Sequence, residues 1–229
     1  MHHTMESIPT AYSPAHPHLE RLKPRWGRVN NYPIAVDFGG IEGERLRMDK
    51  VCLCDVSGLA KCSVTGPSST AWLNEQKIDV PETIYQVAKW EPGGIIVRVG
   101  HEEFFLESGV NGHNIATLRS SARSTDSNIY FVERQDATFL LSGPQSRKVL
   151  AQTCGVNFAD HPPSRLAMTR VAGVSCAILP PEHRECDDYR FWVDYTYGSY
   201  LWQTLATIVT DLGGGIVGTG MHYPQISPA

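Results

Sequence analysis

The sequence predicts an α+β fold made of two pseudo-symmetric lobes, each an antiparallel-rich sheet with helices packed on it. Three observations carry that expectation. A strand-like run, Gly-Pro and an amphipathic stretch occur twice, as CSVTGPSSTAWL over Cys62–Leu73 and FLLSGPQSRKVL over Phe139–Leu150, 77 positions apart. Each is preceded by a second apolar run and a short turn, which is the pattern of a hairpin. Each is followed by further strand-like runs and then a helical pattern, so the order of elements repeats. Hairpins require antiparallel pairing, which sets the chain apart from a doubly wound parallel sheet.

Residues 1–30 are rich in proline and histidine and read as a flexible arm, in which His2, His3, His16 and His18 are solvated rather than metal-bound. The first lobe is placed at residues 31–125. Its hairpin runs from Val51–Val56 through Ser57-Gly58 to a strand ending at Thr65. A helix is then predicted from Pro67. Glycine frees the backbone to turn, and proline at the first helical position has its φ preset and lacks only an amide that would be unpaired anyway. Ser69 falls in the first turn, where short polar side chains bond free amides, and Trp72 and Leu73 face the sheet. Two strands follow around Gly100-His101-Glu102, then a helix with Ile115, Leu118 and Ala122 on one face.

The second lobe is placed at residues 126–217, joined to the first across Ser124–Asn128. Its hairpin pairs Ile129–Val132 with Thr138–Leu141 around Arg134-Gln135-Asp136, and a helix is predicted from Pro144 with Ser146 in its first turn and Val149 and Leu150 toward the sheet. In YRFWVDY, Tyr189, Phe191 and Val193 alternate against Arg190, Trp192 and Asp194. Leu201, Leu205, Ile208, Val209 and Leu212 recur at helical spacing, and Gly213 to Gly215 supply a left-handed stop. Residues 218–229 read as a flexible tail.

Composition excludes several functions. A net charge of -4 and a pI near 6.1 argue against a phosphate-backbone binder, since such domains usually carry a basic face, and no nucleic acid is expected. No apolar run approaches the ~20 residues that span a bilayer, and the N-terminus has no leader pattern, so no membrane and a cytoplasmic location are expected. The cysteines Cys52, Cys54, Cys62, Cys154, Cys176 and Cys186 show no C-x-x-C spacing, so they read as core residues and no metal site is expected. GPSS, GPQS and GGG lack phosphate-loop spacing, and Ser57 lies in no G-x-S-x-G elbow.

The order YPIAVDFGGIEGERLRMDKVCLCDVSGLAKCSVTGPSSTAWL resembles the opening of the glycine-cleavage T-protein superfamily. There an Asp-Val-Ser precedes a Ser/Thr-Gly-Pro and a helix; here these are Asp55-Val56-Ser57 and Thr65-Gly66-Pro67. The later LLSGPQSRKVL, CGVNFADHPPSRLAMTRVAGVSCAIL and YRFWVDYTYGSYLWQTL resemble the small γ subunit of heterotetrameric sarcosine oxidase and related N-methyl amino-acid dehydrogenases. The resemblance runs from Tyr32 to Leu212. It implies a T-protein folate-binding-like fold, tetrahydrofolate in a central hole between the lobes, and a carboxylate near folate N5 that assists one-carbon transfer.

The sequence departs from that pattern where the acid belongs. Gly93-Gly94-Ile95-Ile96 runs into Val97-Arg98 where the family has Asp-Asp, and PPEHRECDD stands where a Gly-Tyr-Thr-Gly-Glu loop closes over folate. T-proteins also carry a further C-terminal domain that this sequence does not show. What remains resembles the γ subunit, which implies no catalytic residue in this chain and an accessory role in a flavin-dependent oxidase or dehydrogenase that demethylates N-methyl amines or amino acids. The expected partners are the larger subunits of that hetero-oligomeric oxidoreductase, which hold flavin and NAD. Tetrahydrofolate is the cofactor this chain itself could take, in a folate-like cavity assigned to Tyr85, Trp90, Glu107 and Asp55. Tyr85 and Trp90 either stack on a pterin ring or pack on the sheet. Tyr195, Tyr197 and Tyr200 in YTYGSYLW are too dense to all point inward, which assigns them to partner contact.

Two further readings stay open. One is a stand-alone tetrahydrofolate-binding one-carbon transferase using Glu107, Asp55 or Asp194 as its acid. The other is a non-catalytic structural protein whose centre is filled by Trp72, Trp90 and Phe105.

Overall fold

The computed structural model describes residues 11–110, 113–124, 128–182 and 187–228. His2, His3, the first ten residues of the expected arm, the middle of the expected junction and Cys186 lie outside the described residues. In chain order the elements are α1 (His16–Glu20), β1 (Arg25–Val29), β2 (Tyr32–Asp37), α2 (Ile41–Met48), β3 (Cys52–Asp55), β4 (Lys61–Thr65), α3 (Ser69–Glu75), β5 (Val87–Glu91), β6 (Gly94–Gly100) and β7 (Glu103–Glu107). They continue as α4 (His113–Ser124), β8 (Tyr130–Arg134), β9 (Ala137–Ser142), α5 (Ser146–Thr153), β10 (Ala167–Val171), β11 (Val174–Leu179), β12 (Tyr189–Val193), α6 (Tyr195–Asp211), β13 (Gly215–Ile216) and a 3-10 turn at Thr219–Met221.

Two large sheets carry the repeat. One runs β5-β6-β7-β4-β8 and the other β10-β11-β12-β9-β3-β13; apart from the parallel β13–β3 pair, all neighbours are antiparallel. The orders match strand for strand, with β4 answering to β9 and β8 to β3. The two expected hairpins do not form. β3 pairs with β9 rather than with β4, and β8 pairs with β4 rather than with β9. Each half of the chain therefore lends the first strand of its repeat, β3 or β8, to the other half's sheet.

The Gly-Pro turns are where the lent strands arrive. Gly66 has φ +121°, and a Cβ there would lie 2.4 Å from the carbonyl oxygen of Asn128, just ahead of β8. Gly143 has φ +103°, and its Cβ would lie 2.6 Å from Met48 O and 2.9 Å from Lys50 O, just ahead of β3. Both conformations suit glycine alone, and both glycines let the crossing backbone come close. The helices begin at Ser69 and Ser146 rather than at the prolines. Proline and the residue after it complete a turn instead, closed by Ser69 N–H to Gly66 O and Ser146 N–H to Gly143 O, each 2.9 Å. Neither serine side chain caps its helix: Ser69 Oγ donates to Glu102 (3.0 Å), and Ser146 Oγ is buried with no hydrogen-bond partner among the described residues.

The layers stack helix, sheet, sheet, helix. Trp72, Leu73, Ile115 and Leu118 of α3 and α4 cover one face of the first sheet, meeting Cys62, Val64, Ile96, Phe104 and Leu106. Val149 and Leu150 of α5 and Leu201, Trp202, Leu205 and Val209 of α6 cover the second sheet over Leu53, Phe139, Leu141, Phe191 and Val193. The inner faces meet through a small cluster of Val97, Phe105, Leu166 and Trp192. Burying one such apolar side chain stabilises by roughly 1.5–3 kcal/mol, so each helix layer is well anchored. Helix α6 starts at Asp194, whose side chain accepts from Thr196 N–H (2.9 Å), and ends as expected. Gly213 at φ +75° and Gly214 donate back to Thr210 and Val209, closing a Schellman motif.

In their described parts, the arm and tail differ from the flexible segments expected at 1–30 and 218–229. Ala15, at the N-cap of α1, and Leu19 within it are buried, and β1 pairs with β2. Thr219 and Ile226 are buried too. Glu44 ties the two ends, its carboxylate accepting from Phe38 N–H and Gly218 N–H, both at 2.7 Å. Proline content marked the arm as irregular and its terminal position marked the tail, but irregular backbone can still be held by buried apolar anchors.

Candidate functional site between the two sheets

A cleft of about 410 Å³ opens where the sheets face each other. Lys89, Gly94 and Ile95 line it from the first sheet, and Leu140, Asp188 and Arg190 from the second half. His222 and Tyr223 from the C-terminal segment close one side. Burial lowers the pKa of His222, with Arg190 adding to the effect and Asp188 opposing it.

At the base of the cleft Arg190 joins two groups. Its Nη1 donates to Glu107 Oε1 at 2.6 Å and its Nη2 to the Tyr223 hydroxyl at 2.7 Å. Burial works against the guanidinium charge, but Glu107 and Tyr223 outweigh it and the Arg190 pKa rises. Glu107 is fully buried. Besides Arg190 it accepts from Trp192 Nε1 (2.6 Å) and Thr138 Oγ1 (3.4 Å) at Oε2. Charge-assisted bonds of this length are the strong ones, so this carboxylate is anchored in place.

The sequence-assigned cavity residues separate in space. Glu107 and Trp90 do meet, since Trp90 Nε1 donates to the Glu107 backbone oxygen at 3.0 Å, but the indole packs on the helix-covered core of the first sheet. Tyr85, at φ +69°, packs in the inter-sheet cluster, and its backbone joins the halves through Arg98 O and Leu166 N–H, both at 2.7 Å. Asp55 is buried in the β3–β4 crossing. It accepts from Ser57 Oγ (2.6 Å) and Ser57 N–H (3.1 Å), and Ser57 Oγ accepts from Thr138 N–H (3.0 Å). Burial raises the Asp55 pKa, opposed by the Ser13 and Ser57 hydrogen bonds and by Lys61. The Asp-Val-Ser motif thus fastens the lent strand to β9. Lys61 fastens the same crossing, donating to Ser57 O (3.0 Å) and Leu59 O (2.7 Å).

Asp194 is an exposed helix cap rather than an acid of the cleft, and its bonds from Thr196 lower its pKa. Tyr195, Tyr197 and Tyr200 are exposed on the first turns of α6. Trp72 lies in the helix-covered core, not between the sheets. Arg98 lies away from the cleft as well, its Nε donating to Pro81 O (2.6 Å) and its guanidinium lying over the Phe104 ring.

Arg190, Trp192 and Tyr223 are the site residues that sequence reasoning missed. The alternation in YRFWV set Arg190 and Trp192 on the face opposite Tyr189, Phe191 and Val193, and that face meets the other sheet. A tryptophan between Arg190 and Asp194 on that face was the available signal.

The architecture defines a class: a double-sheet α+β protein with exchanged strands, and a cleft between the sheets at whose base a buried carboxylate is paired with arginine. The chain belongs to the GCVT N-terminal domain family, which matches residues 15–222. Its fold is similar to that of the glycine cleavage system aminomethyltransferase T from Bartonella henselae, with a TM-score of 0.71 and 16% identity, covering 91% of this chain and 59% of that one. It is also similar to a chain of the heterotetrameric sarcosine oxidase from Corynebacterium sp. U-96 in complex with pyrrole 2-carboxylate, with a TM-score of 0.61 and 17% identity, covering 73% of this chain and 88% of that one. The chain thus spans 59% of the length of the Bartonella protein. No curated protein matches it. The T-protein resemblance and the α+β class read from the sequence both hold. Among the described residues no helix is long and apolar enough to cross a membrane, and no group of three or more His, Cys, Asp or Glu side chains is placed to hold a metal.

Proposed function

We propose that this chain is an accessory, γ-like subunit of a cytoplasmic, multi-subunit, flavin-dependent oxidase or dehydrogenase that demethylates N-methyl amines or amino acids and feeds tetrahydrofolate one-carbon metabolism. Its repeated units are residues 31–125 and 126–217. The observation that carries the reading is the state of Glu107. This buried carboxylate at the base of the cleft is held by Arg190 and Trp192, both at 2.6 Å, so each of its oxygens is committed to a fixed donor where the two sheets meet. The likeness to a chain of a heterotetrameric oxidase supports the same reading. Flavin and NAD belong to the larger subunits, and Tyr195, Tyr197 and Tyr200 meet them. Native mass spectrometry of material purified through this chain should show larger subunits and a flavin absorbance, both reduced by Tyr197→Ala with Tyr200→Ala. Recovery of the lone chain from cells that make the neighbouring gene products rejects the reading.

A second reading is favoured by the cleft itself. At about 410 Å³ it lies within the ~300–1,000 Å³ range of small-molecule sites, and it presents Lys89, Asp188 and Arg190. A stand-alone tetrahydrofolate-dependent transferase would bind the cofactor there without partners. Calorimetric titration of the isolated chain with tetrahydrofolate tests it, and no heat at millimolar ligand removes it.

A further inference from the structure

The two sheets are built alike, yet their outer edges end differently. In the six-stranded sheet β3 has β9 on one side and β13 on the other; Gly215 N–H donates to Val51 O and Val217 N–H to Leu53 O, each at 3.1 Å. In the five-stranded sheet β8 holds the place of β3, and among the described residues it pairs with β4 alone.

The registers fix the correspondence. Leu53 faces Leu141 as Phe131 faces Val64, and Leu141 and Val64 each stand two residues before their Gly-Pro turn. Ile129 and Phe131 therefore occupy the places of Val51 and Leu53, whose carbonyls receive the extra strand. The sheet faces differ too: Tyr130 and Val132 are 67% and 50% exposed, where their counterparts Cys52 and Cys54 are 0% exposed beneath Ile34 and Val36 of β2 and the C-terminal Val217 and Ile226. Alongside runs a groove of about 350 Å³ between α4 and β8, walled by Arg119, Ala122 and Arg123 on the helix and Ile129, Phe131 and Glu133 on the strand.

We propose that this groove takes an extended segment of a partner polypeptide, added parallel to β8 as a sixth strand. An unpaired strand edge beside a helix is the geometry of recognition by strand addition, in which backbone bonds give affinity and side chains give selectivity. The parallel direction follows from β13, the strand that fills this place in the other sheet. A twofold pair of this chain would bring β8 edges together antiparallel and so would not reproduce the direction of β13, whereas a partner segment can. Glu133 already pairs with Arg119 at 2.6 Å, so Arg123 is the cation that favours a carboxylate on the segment, and Tyr130 and Val132 favour apolar residues at alternate positions. The inference concerns a surface away from the cleft and does not depend on the reading of Glu107.

Hydrogen exchange on the complex purified through the full chain tests it. The Phe131 and Glu133 amides should exchange at least about tenfold more slowly in the complex than in the free chain. Tyr130→p-benzoylphenylalanine should cross-link, within the same complex, to one extended partner segment. Tyr130→Lys with Val132→Lys should lower partner recovery about tenfold at an unchanged melting temperature; if that variant fails to fold, the exchange and cross-linking results decide. Equal exchange in free and bound chain overturns the proposal. So does a dimer of this chain that the double variant abolishes, or protection in the free chain that disappears when residues 1–10 are removed.

Discussion

The Glu107 carboxylate and the Trp192 indole N–H, 2.6 Å apart, occupy matching places in the two sheets. Glu107 stands opposite Lys61 on β4 and Trp192 opposite Thr138 on β9, and Lys61 and Thr138 are equivalent positions of the Gly-Pro repeat. The repeat meets itself here, with an acid from one copy and a donor from the other, and Arg190 supplies the compensating charge. Truncating Arg190 to alanine leaves a buried carboxylate without its cation. Breaking a buried pair on one side costs about 3–5 kcal/mol, a fall in melting temperature on the order of 10 °C for a chain of this size. Denaturant unfolding should show that loss, and Arg190→Ala with Glu107→Gln should recover part of it.

Asp55 gives the pH dependence a definite sign. Burial raises its folded pKa above the ordinary 3.8, so between those two values the native state holds more protons than the unfolded one. Stability contributed by this group therefore falls as pH rises from about 3.8 through the folded value. Asp55→Asn keeps an acceptor for Ser57 and removes the charge. The slope of unfolding free energy against pH in that window should flatten in the variant; an unchanged slope shows that Asp55 does not set it.

Alanine at Gly66 or Gly143 meets both a positive φ and a backbone oxygen closer than 3 Å. Each substitution should cost more than about 2 kcal/mol, because the strain of the conformation and the clash add. Gly173 is the control. It has φ +85° but nothing within 4 Å of an added Cβ, so Gly173→Ala should cost only about 1 kcal/mol.

Thiol chemistry separates the cysteines. Burial pushes Cys52 and Cys176 up to about 12 and drives Cys54 and Cys62 up as well, so none of these offers a thiolate at neutral pH. Cys154 is partly exposed. In a Cys186→Ser background, Ellman's reagent should titrate Cys154 in the native protein, and Cys154→Ser should abolish that fast phase. The other thiols should react only on unfolding.

Much of the fold was legible because the repeat writes it twice. The strand runs, both Gly-Pro turns, the sheet-facing Trp72, Leu73, Val149 and Leu150, and the glycine stop after α6 all follow from local rules. The partnering of the first strand in each half did not. Ser57-Gly58 and Gln135-Asp136 have the composition of hairpin turns, and a crossing between sheets uses the same residues as a return within one. Glu107 was visible as an acid closing an apolar run, EFFLE. Its neutralisation was not, because Arg190 lies 83 residues away in sequence and only the packing of the two sheets brings it close.

The exchange of strands also dictates an order of events during synthesis. At ribosomal speeds of ~5–20 residues per second, β3 waits several seconds before β9 leaves the exit tunnel. Throughout that interval a row of apolar side chains, Cys52 to Cys54, has no sheet to join. Such a chain is a slow folder dominated by distant contacts, and a natural client for a chaperone that shields a nascent edge. Neither half, made by itself, contains every strand its own sheet requires.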